Sequence, residues 1–175
     1  MTSKEQPRKG SVADVLRKQK LHYLEIEDVA MVKRGSPLRE ALTLLQEKDS
    51  RGAALVVEEK EGGEGPERKP VGIFTERDYL DKLAGVPTDL DRPIDEYMTA
   101  NPQTVLAEDT CDVALRLMTK GGYRHLPVVD RDGALVGLVS TRDIVVHLAE
   151  FFPMEVYNLP PRLHQNHTIS PREGG

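Results

Sequence analysis

The feature that most constrains this chain is an internal repeat. Val71-Gly72-Ile73-Phe74-Thr75-Glu76-Arg77-Asp78-Tyr79-Leu80 is matched 65 positions downstream by Val136-Gly137-Leu138-Val139-Ser140-Thr141-Arg142-Asp143-Ile144-Val145, and Leu83 is matched by Leu148. Upstream, Leu38, Ala41, Leu42 and Leu45 are matched by Cys111, Ala114, Leu115 and Met118 at an offset of 73. Arg51 with Arg124 and Val56 with Val129 share that offset. The two offsets differ by eight residues, so the first copy carries an insertion, legible as the acidic, Gly-rich run Glu58–Lys69 against the short Asp130–Gly133. Such a run reads as a solvated hairpin loop.

Each copy has the same order of elements. Leu38, Ala41, Leu42 and Leu45 follow the i, i+3, i+4, i+7 spacing of an amphipathic helix, and so do their partners. Ala53–Val57 and Leu126–Val129 are short apolar runs that predict buried strands, with Val71–Phe74 and Val136–Val139 as the returning strands. Asp132-Gly133 is a hairpin turn signal. Thr75 and Ser140 open a second helix, and short strands are expected near Ala30–Val32 and Thr104–Val105. The copy is thus β-α-β-β-α, and the fold class is α+β. One copy of roughly 60 residues lies near the lower limit for independent stability. Two tandem copies packed sheet to sheet would bury each other's faces.

The expected divisions are a leader over 1–24, repeat one over 25–88, a linker over 89–97, repeat two over 98–155 and a tail over 156–175. A short helix from Ser11 to Lys20 is expected in the leader, with Val12, Val15 and Leu16 on one side. Little order is expected from about Arg162 onward.

Charge and cysteine content exclude some functions. With 24 basic and 29 acidic side chains the net charge is −5, which argues against sequence-independent nucleic-acid binding. The polar N-terminus has no signal-peptide core, and no apolar run approaches the ~20 residues that span a bilayer. A cytoplasmic location is the default expectation. Cys111 is the one cysteine, so an intrachain disulfide and a thiolate zinc site are excluded. It falls on an apolar helix face and reads as a core residue. His164 and His167 lack a third ligand, so no metal site is expected.

The paired Thr75-x-x-Asp78 and Ser140-x-x-Asp143 have two readings. One is a capping box, with the hydroxyl at the N-cap and the carboxylate at N3. The other is a ligand edge. There, Gly72 and Gly137 admit a close approach, the helix N-terminus offers N–H groups, and the carboxylate accepts ribose hydroxyls. Arg77 and Arg142 beside the aspartates suit phosphate. Spacing alone favours the cap.

Gly-Ile-Phe-Thr-Glu-Arg-Asp (72–78) and Gly-Leu-Val-Ser-Thr-Arg-Asp (137–143) resemble the signature of CBS domains, small regulatory modules. Tyr123-Arg-His-Leu-Pro-Val-Val-Asp130 is similar to a strand segment of that family, and Glu96-Tyr-Met-Thr99 with Asn101-Pro102 to the start of a second copy. The resemblance spans roughly Val29–Leu148. It implies a tandem pair with pseudo-two-fold symmetry and two clefts that bind AMP, ADP, ATP or S-adenosylmethionine as regulatory ligands, no cofactor being required. One site would join Thr75, Arg77 and Asp78 to Thr104, Arg124, His125, Leu126 and Pro127. The other would join Ser140, Thr141, Arg142 and Asp143 to Met31, Arg51, Gly52, Ala53 and Ala54. The first copy has Gly52-Ala53-Ala54 where the second has His125-Leu126-Pro127. The resemblance also implies a homodimer and an effector on another protein.

Arg77, Arg142, Arg51 and Arg124 near the clefts favour phosphorylated adenosine over a sulfonium. His125 reads equally as a cleft or a packed residue, and Tyr123 as a base-stacking residue or a strand end. Phe151, Phe152, Tyr157 and Leu159 read as packing residues. No P-loop and no Ser-His-Asp arrangement is legible, so a non-catalytic binding module is expected over an enzyme. The alternatives are an S-adenosylmethionine module and a structural dimerisation module with empty clefts.

Overall fold

The structure is a computed structural model and describes residues 11–26, 29–47, 52–59 and 68–152. Arg51, most of the hairpin insertion, and the tail with His164 and His167 lie outside the described residues.

The first copy contains β1 (Met31–Lys33), α2 (Leu38–Gln46), β2 (Ala53–Glu59), β3 (Arg68–Thr75) and α3 (Glu76–Lys82), preceded by α1 (Val12–Lys18). The second contains β5 (Val105–Leu106), α4 (Cys111–Gly121), β6 (His125–Val129), β7 (Leu135–Ser140) and α5 (Thr141–Phe151). Between them lies the two-residue β4 (Thr99–Ala100). The expected β-α-β-β-α order is present twice. One sheet runs β1-β2-β3-β4 and the other β5-β6-β7. In each, the first strand is parallel to the second and the hairpin pair is antiparallel.

The apolar run of β2 is continuous because both of its faces are covered. Val56 packs with Phe74, Leu38 and Ala41 on the helix side. Ala53, Leu55 and Val57 alternate to the other face and pack with Ile73 and Leu138, the latter from the second copy's sheet. The two sheets therefore meet through this apolar layer.

The pairing corrects the repeat alignment by one residue. Val56 pairs with Gly72 and Val128 with Gly137, while Ala53 pairs with Thr75 and His125 with Ser140. The strand offset is thus 72, not 73: Val56 corresponds to Val128, Ala53 to His125 and Gly52 to Arg124. Each strand carries a double valine, so one valine still matches another when the sequences are aligned one position out of register. The arginine pair Arg51/Arg124 is not repeat-related.

The leader and linker are themselves related, at the helix offset of 73. Leu38 N–H donates to Arg92 O and Ile94 N–H to Ser36 O; Cys111 N–H donates to Gln19 O and Leu21 N–H to Asp109 O. Matching 3₁₀ turns follow at Leu21–Tyr23 and Ile94–Glu96. The exchange is reciprocal. Leu21, Leu24 and Ile26, from before β1 of the first copy, are buried in the second copy's core with Cys111, Ala114, Met118 and Ile144. Ile94, from before the second copy, is buried in the first copy's core. Each copy's helix layer is completed by a segment that precedes the other.

Leu21 is fully buried. Its replacement by alanine should destabilise the chain by about 3 kcal/mol, as for other buried leucines. Urea denaturation checks this; a cost below about 1 kcal/mol would mean that the leader only lies on the surface. Cys111 is buried in the same core, and burial pushes its thiol pKa up to about 11. It stays protonated near neutrality, in keeping with a packing role.

Candidate functional site

Thr75 and Ser140 end strands β3 and β7 in extended conformation, and both capping boxes form. Asp78 N–H donates to Thr75 Oγ1 at 3.3 Å, while Thr75 N–H and its hydroxyl donate to Asp78 Oδ2 at 2.9 and 2.7 Å. Ser140 does the same with Asp143 at 2.7 and 2.8 Å. The amide that opens each helix is also taken: Glu76 N–H donates to Gly52 O and Thr141 N–H to Arg124 O. The N–H groups that the sequence offers to an anion are therefore largely consumed, and charge at this edge comes from side chains.

The other oxygen of Asp78 is occupied as well. Oδ1 accepts from Lys82 Nζ at 2.7 Å and from Thr99 Oγ1 at 3.3 Å. Burial pushes the Asp78 carboxyl pKa up, but the hydrogen bonds from Lys82 and Thr75 outweigh it and hold the group below its ordinary value.

Above this edge is a cleft of about 620 Å³ between the two copies. Thr75, Arg77 and Asp78 line one side, and Thr104, Arg124, His125 and Leu126 the other. Seven of the eight residues expected at the first site thus share one cavity. Pro127 does not line it, being paired within the sheet with Leu138. His125 and Tyr123 both face the cleft, and the Tyr123 ring covers Gly121 so closely that a Cβ there would overlap it. Arg77 reaches across the cleft, its Nη1 donating at 3.1 Å to the carbonyl of Gly122, the left-handed C-cap of α4.

The second set is distributed differently. Arg142 and Asp143 line a smaller pocket of about 260 Å³ with Tyr23, Leu24, Glu25, Val146, His147 and Glu150. Ser140 is buried, and Thr141 Oγ1 donates to Met118 Sδ at 3.3 Å. Met31 and Ala53 pack in the layer between the sheets, and Ala54 is fully buried. Gly52 lines the first cleft instead. Among the described residues, this pocket brings Arg142 and Asp143 together with the leader rather than with Met31, Ala53 and Ala54.

Sequence reasoning omitted several residues that line the large cleft. Glu76 follows the capping threonine directly, and its place at the helix start was legible. Thr99, Asn101, Pro102 and Gln103 arrive because β4 pairs with β3 and Asn101, at φ 50°, turns the chain into the cleft. The Asn-Pro turn signal marks the bend but not where it points.

A family profile described as CBS domain matches residues 12–85 and again 94–150. An uncharacterized 17.7 kDa protein of Acidianus ambivalens is 30% identical over 136 residues, 78% of this chain and 77% of that one. Inosine-5'-monophosphate dehydrogenase of Aquifex aeolicus is 30% identical over 140 residues, which is 79% of this chain but 26% of that enzyme. The solved structure of a CBS domain protein from Pyrobaculum aerophilum complexed with AMP superposes with a TM-score of 0.62 at 29% identity, covering 75% of this chain and 98% of that one.

Proposed function

The chain belongs to the CBS-domain family, and on that footing we propose that it is a non-catalytic regulatory module. It binds AMP, ADP or ATP in the cleft at Asp78 and communicates its occupancy to a partner protein. One observation carries this reading: a cavity of about 620 Å³, within the usual range for small-molecule sites, is walled by a carboxylate from one copy and guanidinium groups from both. Asp78 suits a ribose, while Arg77 and Arg124 suit phosphate. A ligand held by both walls would fix the angle between the copies, which is how binding would alter a distant surface. The AMP held by the Pyrobaculum relative supports the same class of ligand.

Asp78 and Asp143 line different cavities, so they do not form an acid–base pair. Tyr79 and Leu80 on α3 and Val145 and Val146 on α5 are exposed, with Leu80 and Val145 repeat-related. A second copy covering these faces accounts for them, and a homodimer is part of the proposal. Among the described residues no helix is long and apolar enough to cross a membrane; a cytoplasmic setting is the one proposed.

Calorimetric titration with AMP, ADP, ATP and S-adenosylmethionine tests the ligand class. Saturable heats with one or more of the phosphorylated ligands are expected, each tighter than S-adenosylmethionine. Binding of S-adenosylmethionine alone would replace this reading, and heat from none of them would leave a structural dimerisation module.

A further inference from the structure

Among the described residues, the charged side chains lining the large cleft balance. Glu76 and Asp78 oppose Arg77 and Arg124. Arg77 and Arg124 suit a phosphate, but Glu76 and Asp78 beside them oppose it, and the ribose must bind against a carboxylate that repels phosphate. The balance is changed by a residue that does not line the cleft. Lys82, one turn along α3 from Asp78, places its ammonium 2.7 Å from Asp78 Oδ1 and donates a second hydrogen bond, 2.6 Å long, to the Tyr97 carbonyl. That carbonyl belongs to the linker segment, so the ammonium is held from two sides. The Asp78 side chain is 12% exposed and that of Lys82 39%, so the pair is partly withdrawn from solvent and its field is less screened than that of a surface pair.

The second copy shows what the same place looks like without the lysine. His147 stands at the position of Lys82, and Leu24 at that of Tyr97. The imidazole is shorter. Its Nδ1 lies 3.5 Å from Glu150, and its buried Nε2 has no hydrogen-bond partner. There the carboxylates Glu25, Asp143 and Glu150 outnumber Arg142 around the pocket. The two copies therefore share the aspartate but differ in the cation behind it.

We propose that Lys82 determines ligand charge specificity at the large cleft, by offsetting Asp78 so that a phosphorylated adenosine is accepted in preference to the uncharged nucleoside. Lys82 acts through Asp78 and makes no contact with the ligand. This inference rests on the reading that the cleft binds adenosine ligands.

The test is a calorimetric titration of the full chain with AMP and, separately, with adenosine, for the wild type, Lys82→Met and Lys82→Arg. The binding event that Asp78→Asn removes is the one read. Methionine keeps the apolar stem and removes the charge, so the preference for AMP over adenosine should fall on the order of ten-fold, with adenosine affinity nearly unchanged. Arginine should keep the preference. A parallel loss of AMP and adenosine affinity would make Lys82 a structural brace and overturn the inference, as would an unchanged ratio. If only ADP or ATP binds, that nucleotide takes the place of AMP in the titration; if none of AMP, ADP, ATP and adenosine binds the wild type, the functional reading itself falls and this inference with it.

Discussion

In Asp78→Asn protein, AMP should no longer raise the melting temperature. For the wild type, AMP at about 100 times its Kd should add about 2.7 kcal/mol of stability, a shift of about 5–10 °C for a chain of this size. The substitution tests the carboxylate rather than the fold. Asparagine retains an oxygen for the Thr75 N–H and hydroxyl, which donate at 2.9 and 2.7 Å. It loses the charge that Lys82 pairs with and sets an amide donor against an ammonium donor, so the ligand-free protein should lose about 1–3 kcal/mol. Ribose hydroxyls donating to a neutral amide would bind more weakly by on the order of 100-fold. The Asp143→Asn variant should keep most of the AMP shift, because its pocket is smaller and richer in carboxylates. Retention of the full shift by Asp78→Asn would remove the cleft at Asp78 from consideration. Differential scanning fluorimetry with and without AMP reads each outcome.

The second large effect concerns two glycines that the repeat makes equivalent. Gly137→Ala should destabilise the chain by about 3 kcal/mol or more, whereas Gly72→Ala should cost less than about 1.5 kcal/mol. At Gly137 a Cβ would overlap the carbonyl oxygen of Ile26 and lie 2.7 Å from its carbonyl carbon. That same oxygen accepts the Leu138 N–H at 2.9 Å, so the backbone cannot withdraw without breaking the bond. Ile26 is also anchored in the second core with Leu21 and Leu24. At Gly72 the neighbour is the end of the Met98 side chain, which has other rotamers available. Equal costs in urea denaturation would show that the leader yields as readily as a methionine.

These glycines show what the repeat pattern conveyed and what it did not. The motif marked both as places of close approach, but its identity in the two copies concealed that one meets a backbone and the other a side chain. The capping boxes were legible because they are local: hydroxyl and carboxylate three residues apart at a strand–helix junction have few other geometries. The sharing of a cavity by Asp78 with Arg124 and His125 was not derivable from spacing. It came from resemblance to a family, and the packing of the sheets brings these residues together. Nothing in the sequence singles out Lys82, because its lysine–aspartate spacing is common on any helix surface and its placement depends on the Tyr97 carbonyl that the linker supplies.

By itself the sequence determined the duplication, the order β-α-β-β-α in each copy and the two helix caps. Each rests on contacts between residues near in the chain, where periodicity and side-chain chemistry are sufficient. Only the tertiary structure decided the strand register, since a double valine matches itself one residue out and hydrogen-bond pairing breaks the tie. It alone decided the exchange of leader and linker between the cores, because Leu21 shares a core with Cys111 and Ala114, 90 or more residues on, and Ile94 shares one with Leu38 and Ala41, more than 50 residues back. The same segments supply Tyr97 to Lys82 and Thr99 to Asp78 on one side and Glu25 to the pocket of Asp143 on the other. Two nearly identical motifs thus acquire different electrostatic surroundings from segments that the repeat does not keep alike.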